Sequence, residues 1–188
     1  RTQRYTRILK STTGTGIFST VAGSCTVGYN ADGHLATSAL SNSPTYVPFD
    51  AAGNLFIADL QNNRVRKVAN VTGLISTIAG TGVAGYNGEG VLATFAQING
   101  PCGIIFDNTG NIYIAEYGGA RVRKITISTG LINTIAGTGV FGFNGDNILA
   151  TTALLSGCAY IKFDDAGNMY IGDAGNHRVR KIASGTGI

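Results

Sequence analysis

DAAGNLFIADLQNNRVRKV, residues 50–68, returns twice along the chain with the same order of residue types. The second copy, DNTGNIYIAEYGGARVRKI, begins at residue 107, and the third, DDAGNMYIGDAGNHRVRKI, begins at residue 164. The copies therefore recur every 57 residues, without insertion or deletion. An internal repeat of this regularity predicts an architecture in which one structural unit is used several times.

Each unit predicts four short strands. A first strand ends in an Asp-x-x-Gly turn, an apolar second strand follows, and the basic RVRK segment forms the third. A Thr-Gly turn leads to a fourth strand, such as LISTIAG at residues 74–80, and a loop of about twenty residues then returns to the next unit. Within that loop, an Ala-Thr-x-Ala piece predicts a single helical turn. Pro48 lies in one of the first strands, where it removes a ladder donor.

Four antiparallel strands that repeat at a constant interval are typical of the blades of a β-propeller. We therefore predict an all-β fold, a β-propeller of four-stranded antiparallel blades, with about three 57-residue repeats plus a partial blade. Such a segment would form part of a six-bladed ring or of a larger array. The chain is expected to be one propeller segment, 1–188, that divides into a partial blade with its long loop (1–43), two repeats (44–100 and 101–157) and a partial repeat (158–188).

The two ends carry the same part of the unit, because residues 1–17 align with residues 172–188. Both ends should leave unpaired sheet edges, which invite pairing with another chain. The expectation is either a fragment of a longer array or a homo-oligomer or larger assembly formed through those edges. The sequence starts at Arg1 rather than Met, so a processed or partial chain is expected.

The composition excludes several classes of protein. Only 13% of the 188 residues are charged, 28 are Gly, and no run approaches the ~20 apolar residues of a membrane span, so membrane insertion is not expected. The three cysteines do not form a disulfide framework. One disulfide plus a free thiol and three buried thiols both stay open.

The charges repeat with the unit, and their placement predicts ion pairs. The end of the second strand and the start of the third share one hairpin, so the acid and the arginine that flank it should face each other. A structural role of this kind is favoured over a surface for polyanions. The predicted structural pairs are Asp59 with Arg64, Glu116 with Arg121, and Asp173 with Arg178.

The long loops carry an aromatic residue and an acid at fixed positions, and a ligand site would lie on the rim where these loops converge. Packing of the aromatics under the loop is favoured over their display for stacking on nucleic acid. An Asx turn explains the loop acids better than calcium does, since calcium requires six to eight oxygen ligands. The candidate binding rim consists of Tyr29, Asp32, Tyr86, Glu89, Phe143 and Asp146.

Catalytic and cofactor motifs are not found in the sequence. His34 and His177 fall at different positions of the unit, so the repeat gives them no shared metal site. There is no nucleophile elbow and no phosphate-binding loop, and the cysteines lack a histidine partner placed by the repeat. We therefore predict a protein that is not an enzyme and has no metal or cofactor. Asn70 begins the sequon Asn-Val-Thr, a possible glycosylation site in a hairpin turn.

The unit DAAGNLFIADLQNNRVRKVANVTGLISTIAGTG resembles the NHL repeat, and the resemblance spans nearly the whole chain. The long loop is similar to that of the long-repeat variants found in bacterial and extracellular proteins. The resemblance implies a propeller that binds or scaffolds, here a structural or surface protein, extracellular or on the cell surface, with protein or glycan as partner. Two alternatives stay open, namely an RNA-binding NHL domain that uses the basic strands and a metal-dependent, lyase-like propeller enzyme. Nucleic acid is the less favoured partner.

Overall fold

A computed structural model describes residues 6–188, and thirteen β-strands carry the architecture. The strands are β1 (Ile8–Ser11), β2 (Phe18–Ala22), β3 (Leu55–Asp59), β4 (Arg64–Val68), β5 (Ile75–Ala79), β6 (Val91–Leu92), β7 (Pro101–Phe106), β8 (Ile112–Glu116), β9 (Arg121–Thr126), β10 (Leu131–Ala136), β11 (Cys158–Phe163), β12 (Met169–Asp173) and β13 (Arg178–Ile182). Five short 3-10 turns join them, at Ala36–Ser38, Leu60–Asn62, Ala93–Phe95, Ala150–Thr152 and Ala174–Asn176. The turns that begin at Ala36, Ala93 and Ala150 are the helical turns predicted from the Ala-Thr-x-Ala piece.

The strands form four antiparallel sheets, which are the blades of a β-propeller. The first blade consists of β1 and β2, the second of β3, β4 and β5, and the fourth of β11, β12 and β13. The third blade is the largest, with β7, β8, β9 and β10 in order and β6 added beyond β10. The predicted fold class is confirmed by this arrangement.

The innermost segment of the second blade is not a continuous strand. Pro44 and Phe49 make single bridges to β3, and Pro48 accepts a hydrogen bond from the Phe56 amide at 2.8 Å. Pro48 has no N–H with which to return that bond, so the ladder is interrupted where the third and fourth blades have β7 and β11. The predicted first strand is therefore present here only as an extended segment.

Each long loop crosses from its own blade to the outer edge of the next. The segment β6 follows the second blade along the chain but pairs with β10 of the third. The Ala93 amide donates to the Gly130 carbonyl at 2.9 Å, and Ala36 donates to Gly73 in the same way. The loops thus tie successive blades together through backbone hydrogen bonds.

The apolar core lies between blades. Phe56 and Val65 of the second blade pack against Ile112 and Ile114 of the third, and all four side chains are buried. Edge-to-face aromatic pairs repeat at this interface, because the Phe56 and Phe106 rings lie 4.9 Å apart and the Tyr113 and Phe163 rings lie 5.0 Å apart. Burial of two opposed apolar faces is what holds neighbouring blades in contact.

The cysteines are all free in the described structure, with Cys25 exposed and Cys102 and Cys158 buried. The structure therefore has neither a disulfide with one free thiol nor three buried thiols, because all three cysteines are free and one of them is exposed. Across residues 6–188, no helix is both long and apolar enough to traverse a bilayer.

Candidate functional site

The two arginines of each third strand project from the same face of the sheet. Arg64 lies opposite Asp59 in the ladder, and Arg66 lies opposite Ile57. Residues two apart along a strand share a face, so both guanidinium groups point to the side on which the preceding long loop arrives. The third and fourth blades repeat this register with their own arginines.

An aromatic ring from the long loop lies against each arginine pair. The Arg64 guanidinium carbon is 3.7 Å from the centre of the Tyr29 ring, and that of Arg66 is 4.8 Å away. Cation–π attraction of this geometry contributes about 0.5–1 kcal/mol when partly exposed. The equivalent contacts are Arg121 and Arg123 with Tyr86, and Arg178 and Arg180 with Phe143.

The loop acids complete these clusters. Arg66 donates to Asp32 at 2.9 Å, and the other Asp32 oxygen accepts the Thr77 amide of the fourth strand at 2.9 Å. In the fourth blade, Arg180 lies 3.1 Å from Asp146. Each acid therefore links the long loop to the third strand, and in the second blade also to the fourth.

The third blade makes the same link more loosely. Arg123 lies 3.8 Å from Glu89, while Glu89 accepts the Thr134 amide at 2.6 Å and the Tyr86 hydroxyl at 2.7 Å. We call each set of arginine pair, loop aromatic and loop acid a rim cluster. The six residues of the predicted binding rim all belong to rim clusters.

The predicted ion pairs are corrected by the structure. The ladder does place Asp59 opposite Arg64, but the Arg64 guanidinium turns away and donates to the carbonyl oxygens of Asn62 and Thr81. Arg121 does the same with the carbonyls of Gly119 and Thr138. In the fourth blade, Arg178 donates to the Asn176 carbonyl.

The acid that ends the second strand faces the arginine two residues further along. Glu116 lies 3.6 Å from Arg123, and Asp173 lies 3.8 Å from Arg180. None of the ion pairs within residues 6–188 joins Glu116 to Arg121 or Asp173 to Arg178, nor Asp59 to Arg64. A long arginine side chain can bypass its ladder partner, so register alone does not fix the pair.

Buried carboxylates are held in two ways. Asp59 accepts the Asn42 amide at 2.7 Å and the Asn62 side-chain amide at 2.8 Å. Glu116 accepts only the Asn99 amide, at 3.2 Å, and its other oxygen has no hydrogen-bond partner within the described chain. Burial raises the pKa of both carboxyls, in Glu116 to about 7, because the charged form is less well solvated.

Two arginines of the basic strands are withdrawn from the surface, although Arg178 and Lys181 of the fourth blade are exposed. Arg66 and Arg123 are 1% and 0% exposed, so their guanidinium groups cannot reach phosphates. Recognition of nucleic acid requires accessible cations and aromatic faces. This burial argues against the RNA-binding alternative and supports the structural role predicted for the RVRK segments.

A shallow cavity of about 470 Å³ lies beside the rim cluster of the third blade. Tyr86, Glu89, Arg121, Thr138 and Thr151 are among its lining residues. Tyr86 itself is 40% exposed. Hydroxyl, amide and aromatic groups thus meet at the surface predicted to bind a ligand.

Other residues singled out from the sequence lie apart from the rim clusters. Asn70 is exposed in its turn, and its side-chain amide donates to the Ala52 carbonyl at 3.2 Å. His34 has its two ring nitrogens near the carbonyls of Leu35 and Asn30, and His177 adopts a left-handed conformation after a 3-10 turn. Across residues 6–188, His, Cys, Asp and Glu side chains nowhere gather in a group of three that could hold a metal ion.

The asparagines that hold the buried aspartates were missed at the sequence level. Asn62 bridges Asp59 to the Gly28 carbonyl, and Asn176 bridges Asp173 to the Gly142 carbonyl. The signal was present, because an asparagine follows the aspartate by three residues in two of the three units. Gly119 replaces it in the third unit.

Comparison with known proteins supports the fold but does not define a family. No family model matches the chain. The chloroplastic protein SUPPRESSOR OF QUENCHING 1 of Arabidopsis thaliana is 30% identical over 78 residues, which are 42% of this chain and 7% of that protein.

Solved structures match over most of this chain. A protein of unknown function from Bacteroides thetaiotaomicron has a TM-score of 0.71 at 22% identity, covering 93% of this chain and 41% of its own. An auxiliary nutrient binding protein from Bacteroides ovatus has a TM-score of 0.70 at 22% identity, covering 94% and 43%. Virginiamycin B lyase from Staphylococcus aureus is more distant, with a TM-score of 0.53 at 18% identity, covering 97% and 46%.

These neighbours are β-propeller proteins, and at such identities the likeness shows the fold alone. The chain spans less than half of the length of each of these solved structures and a small fraction of the plant protein. The NHL resemblance seen in the sequence is therefore supported at the level of the propeller architecture.

Proposed function

We propose that the chain is a non-enzymatic β-propeller interaction module that binds a glycan or protein on its long-loop rim, outside the cell or at its surface. The observation that carries the proposal is the cavity beside the rim cluster of the third blade. Tyr86, Asn133, Thr138 and Thr151 are among the residues that line it.

The chemistry of this cavity suits a polar, ring-shaped ligand such as a sugar. Pockets that bind small molecules combine an aromatic surface with a few polar groups that fix orientation. Here the aromatic ring is held in place by the Arg121 guanidinium 4.1 Å from its centre and by its own hydroxyl bond to Glu89. Preorganisation of this kind reduces the entropy lost on binding. The structural neighbour from Bacteroides ovatus is an auxiliary nutrient binding protein, which is consistent with a ligand of this class.

The absence of catalysis is part of the proposal. Burial raises the pKa of Cys102 and of Cys158 to about 12, which leaves both thiols protonated and poorly nucleophilic at neutral pH. In each rim cluster the loop acid faces one arginine, and the other arginine donates to backbone carbonyls. A metal-dependent lyase would instead copurify with zinc or calcium, so a stoichiometric metal in elemental analysis of the purified chain would contradict this part.

The binding proposal is tested by filling the cavity. Thr151 is exposed at its wall, and Thr94 occupies the same position of the preceding repeat. We expect Thr151→Arg to abolish retardation of the protein by soluble polysaccharides in affinity electrophoresis, while Thr94→Arg leaves it unchanged. Equal behaviour of the two variants, or no retardation of the wild type by any of a broad panel, would contradict glycan binding at this cavity.

Self-association through unpaired blade edges stays a prediction. It is checked by multi-angle light scattering of the purified chain, whose monomer mass is 19.4 kDa. A mass of twice that value or more over a range of concentrations would agree with it, and a monomer throughout would not.

A further inference from the structure

Two of the three cysteines lie close together at the interface between the third and fourth blades. Cys102 is the second residue of β7, and Cys158 is the first residue of β11. Both side chains are buried, with exposed fractions of 6% and 0%, and both belong to the apolar cluster that joins the two blades. The Cys102 sulfur lies 3.0 Å from the carbonyl oxygen of Cys158 and 3.1 Å from that of Ala159. It therefore contacts the stretch of backbone that carries the second thiol.

The Cys158 thiol points back into the third blade. Its sulfur lies 3.5 Å from the carbonyl oxygens of Glu116, at the end of β8, and of Arg121, at the start of β9. The pKa of Cys158 is raised to about 12, by burial first and then by the charge that Cys102 would carry as a thiolate. Each thiol thus reaches into the blade of the other, and the two groups are near enough for one to affect the ionisation of the other.

The equivalent interface between the second and third blades has threonine and proline in place of the two thiols. Thr45 occupies the position of Cys102, 57 residues earlier, and its hydroxyl donates to the Cys102 carbonyl at 3.3 Å. A hydroxyl there has the role that the Cys102 S–H has toward the Ala159 carbonyl. Pro101 occupies the position of Cys158 in the preceding unit. Packing between blades therefore requires sulfur at neither position, although two cysteines face each other across this one interface.

The backbone is irregular at both cysteines. The register of the innermost ladder shifts between Pro101 and Gly103 in the third blade, and between Cys158 and Ile161 in the fourth. Such a bulge interrupts regular pairing and bends the strand. A disulfide requires Cα atoms about 4.4–6.8 Å apart and a defined torsion about the sulfur–sulfur bond. Strands that are irregular at these two residues can adjust to that geometry more easily than strands held by an unbroken ladder.

We propose that Cys102 and Cys158 are a redox modification site, at which the two cysteines join in a disulfide while a low-molecular-weight disulfide such as oxidised glutathione is reduced. One cysteine thiolate attacks the small disulfide and displaces a first thiolate, which leaves a mixed disulfide. The second cysteine thiolate attacks the protein sulfur of that bond and displaces the second small thiolate. The two cysteines lose two protons, and the two released thiolates take them up. Two cysteine thiols and one small disulfide thus yield one protein disulfide and two small thiols.

The exchange takes place while the chain folds. Burial raises the pKa of Cys102 as well as that of Cys158 to about 12, so few thiolates are present once the two blades have closed. The finished bond joins the innermost strands of neighbouring blades and closes a loop over 56 positions of the unfolded chain, almost one whole repeat. An oxidising compartment, such as the space outside the cell, maintains such bonds. The site is independent of the rim cavity, because neither cysteine is among the residues that line it.

The test removes the exposed third thiol with Cys25→Ser, because that thiol would react with the oxidant by itself. This variant of the 188-residue chain is unfolded in urea and refolded by dilution into a mixture of oxidised and reduced glutathione, or into dithiothreitol. After the oxidising arm we expect no reactive thiol in the denatured protein, no bound glutathione by mass spectrometry, and a proteolytic fragment that joins Cys102 to Cys158. With Cys102→Thr added, which keeps the donor found at Thr45, no such fragment should form.

The Tm separates a bond within the native fold from one in a misfolded chain. A native bond should raise the Tm of the oxidised Cys25→Ser chain above that of the reduced chain by roughly 5–10 °C, whereas the chain that also carries Cys102→Thr should have the same Tm in both arms. The wild-type chain should form the same joined fragment. Three outcomes would each overturn the proposal: Cys102 and Cys158 that stay reduced or carry glutathione, a bond between two chains, and a joined chain whose Tm is not raised.

Discussion

Arg66 of the second blade and Arg123 of the third occupy equivalent positions, but they form ion pairs with different acids. In the second blade, Asp59 is short and receives hydrogen bonds from Asn42 and Asn62, while Arg66 forms a 2.9 Å bond to Asp32 outside it.

In the third blade, Glu116 is one methylene longer, the asparagine is replaced by Gly119, and Arg123 lies 3.6 Å from Glu116 and 3.8 Å from Glu89. A Cβ at Gly119 would overlap the Glu116 carboxylate, so the longer acid occupies the space of the missing amide. The two substitutions compensate each other in volume.

The compensation in volume is not a compensation in hydrogen bonding. Glu116 keeps one buried oxygen without a hydrogen-bond partner among the described residues, whereas both oxygens of Asp59 have one. Arg66 and Arg123 do not differ in this respect, since each keeps Nε and Nη1 without a partner. Coulomb attraction to a buried arginine therefore replaces neutral amide donors in the third blade. Such a pair is costly to break from one side, because the remaining charge stays buried. The same position of the repeat thus has a hydrogen-bonded joint in the second blade, Asp59 with Asn42 and Asn62, and an ionic joint in the third, Glu116 with Arg123.

The largest effect is expected from removal of the buried arginine in the third blade. Above pH 7, where Glu116 is ionised, Arg123→Met should lower the free energy of unfolding by about 3–5 kcal/mol, because it leaves the Glu116 carboxylate buried without its cation. Arg66→Met should cost only about 1–3 kcal/mol, since Asp59 keeps two donors and Asp32 is partly exposed. Urea denaturation of both variants measures the difference, and equal losses would contradict the distinction between the joints.

The second largest effect is expected when the acid and glycine of the third blade are replaced by the aspartate and asparagine of the second. Gly119→Asn alone should destabilise the chain by about 1–3 kcal/mol, because the new side chain and Glu116 compete for one space. The double variant Glu116→Asp with Gly119→Asn should recover most of this loss by rebuilding the joint of the second blade.

A double-mutant cycle from urea denaturation gives the coupling between the two positions. The matched control is Asn62→Gly in the second blade, which should cost a similar amount because Asp59 and the Gly28 carbonyl both lose a donor. Strictly additive effects of Glu116→Asp and Gly119→Asn would show that the two residues do not share this space.

The ionic joint should also respond to pH. The folded pKa of Glu116, about 7, lies above its ordinary value of 4.5, so between these values the folded chain keeps a proton that the unfolded chain releases. The free energy of unfolding should therefore fall as pH rises from 4.5 to 7, by on the order of 1–3 kcal/mol for this group. Glu116→Gln cannot titrate and should gain stability relative to wild type across that window. Parallel stability curves for the two proteins would contradict the raised pKa.

The smallest effect concerns the rim aromatics. Tyr86→Phe removes the hydroxyl that donates to Glu89 and should cost about 0.5–1 kcal/mol. Tyr29→Phe should cost nothing measurable, because the Tyr29 hydroxyl makes no side-chain hydrogen bond within residues 6–188. Phe143 already lacks this group in the fourth blade. Thermal denaturation resolves the pair of variants, and a loss in Tyr29→Phe as large as that in Tyr86→Phe would refute the role given to the hydroxyl.

Much of the fold followed from the repeat. The second and third strands, their Asp-x-x-Gly turns and the hairpin between Asp59 and Arg64 lie where the sequence predicted them, because contiguous antiparallel strands pair with a register set by their turn. The segment around Pro48 departs from the predicted continuous strand because proline has no N–H to donate to the ladder. The crossing of each long loop to the next blade was not predicted, because no local pattern records which sheet edge a distant segment will reach.

The rim clusters were predicted in part. The aromatic and acidic residues do lie together in the rim clusters, while their role in binding stays a prediction. Tyr29, Tyr86 and Phe143 each contact an arginine but stay more than a third exposed, so the prediction that they pack under the loop is met only in part. The arginine that forms an ion pair with each acid was not predicted, because a sequence pattern does not distinguish two arginines on one face of a strand.

The sequence by itself determined the blade, since hydrogen-bonded ladders and alternating burial depend on neighbours a few residues apart. The tertiary structure alone decided which carboxylate each guanidinium meets. Arg66 finds Asp32, 34 residues earlier, only after the long loop has crossed to the next blade. An arginine side chain can reach several acceptors at similar cost, so packing between blades selects among them.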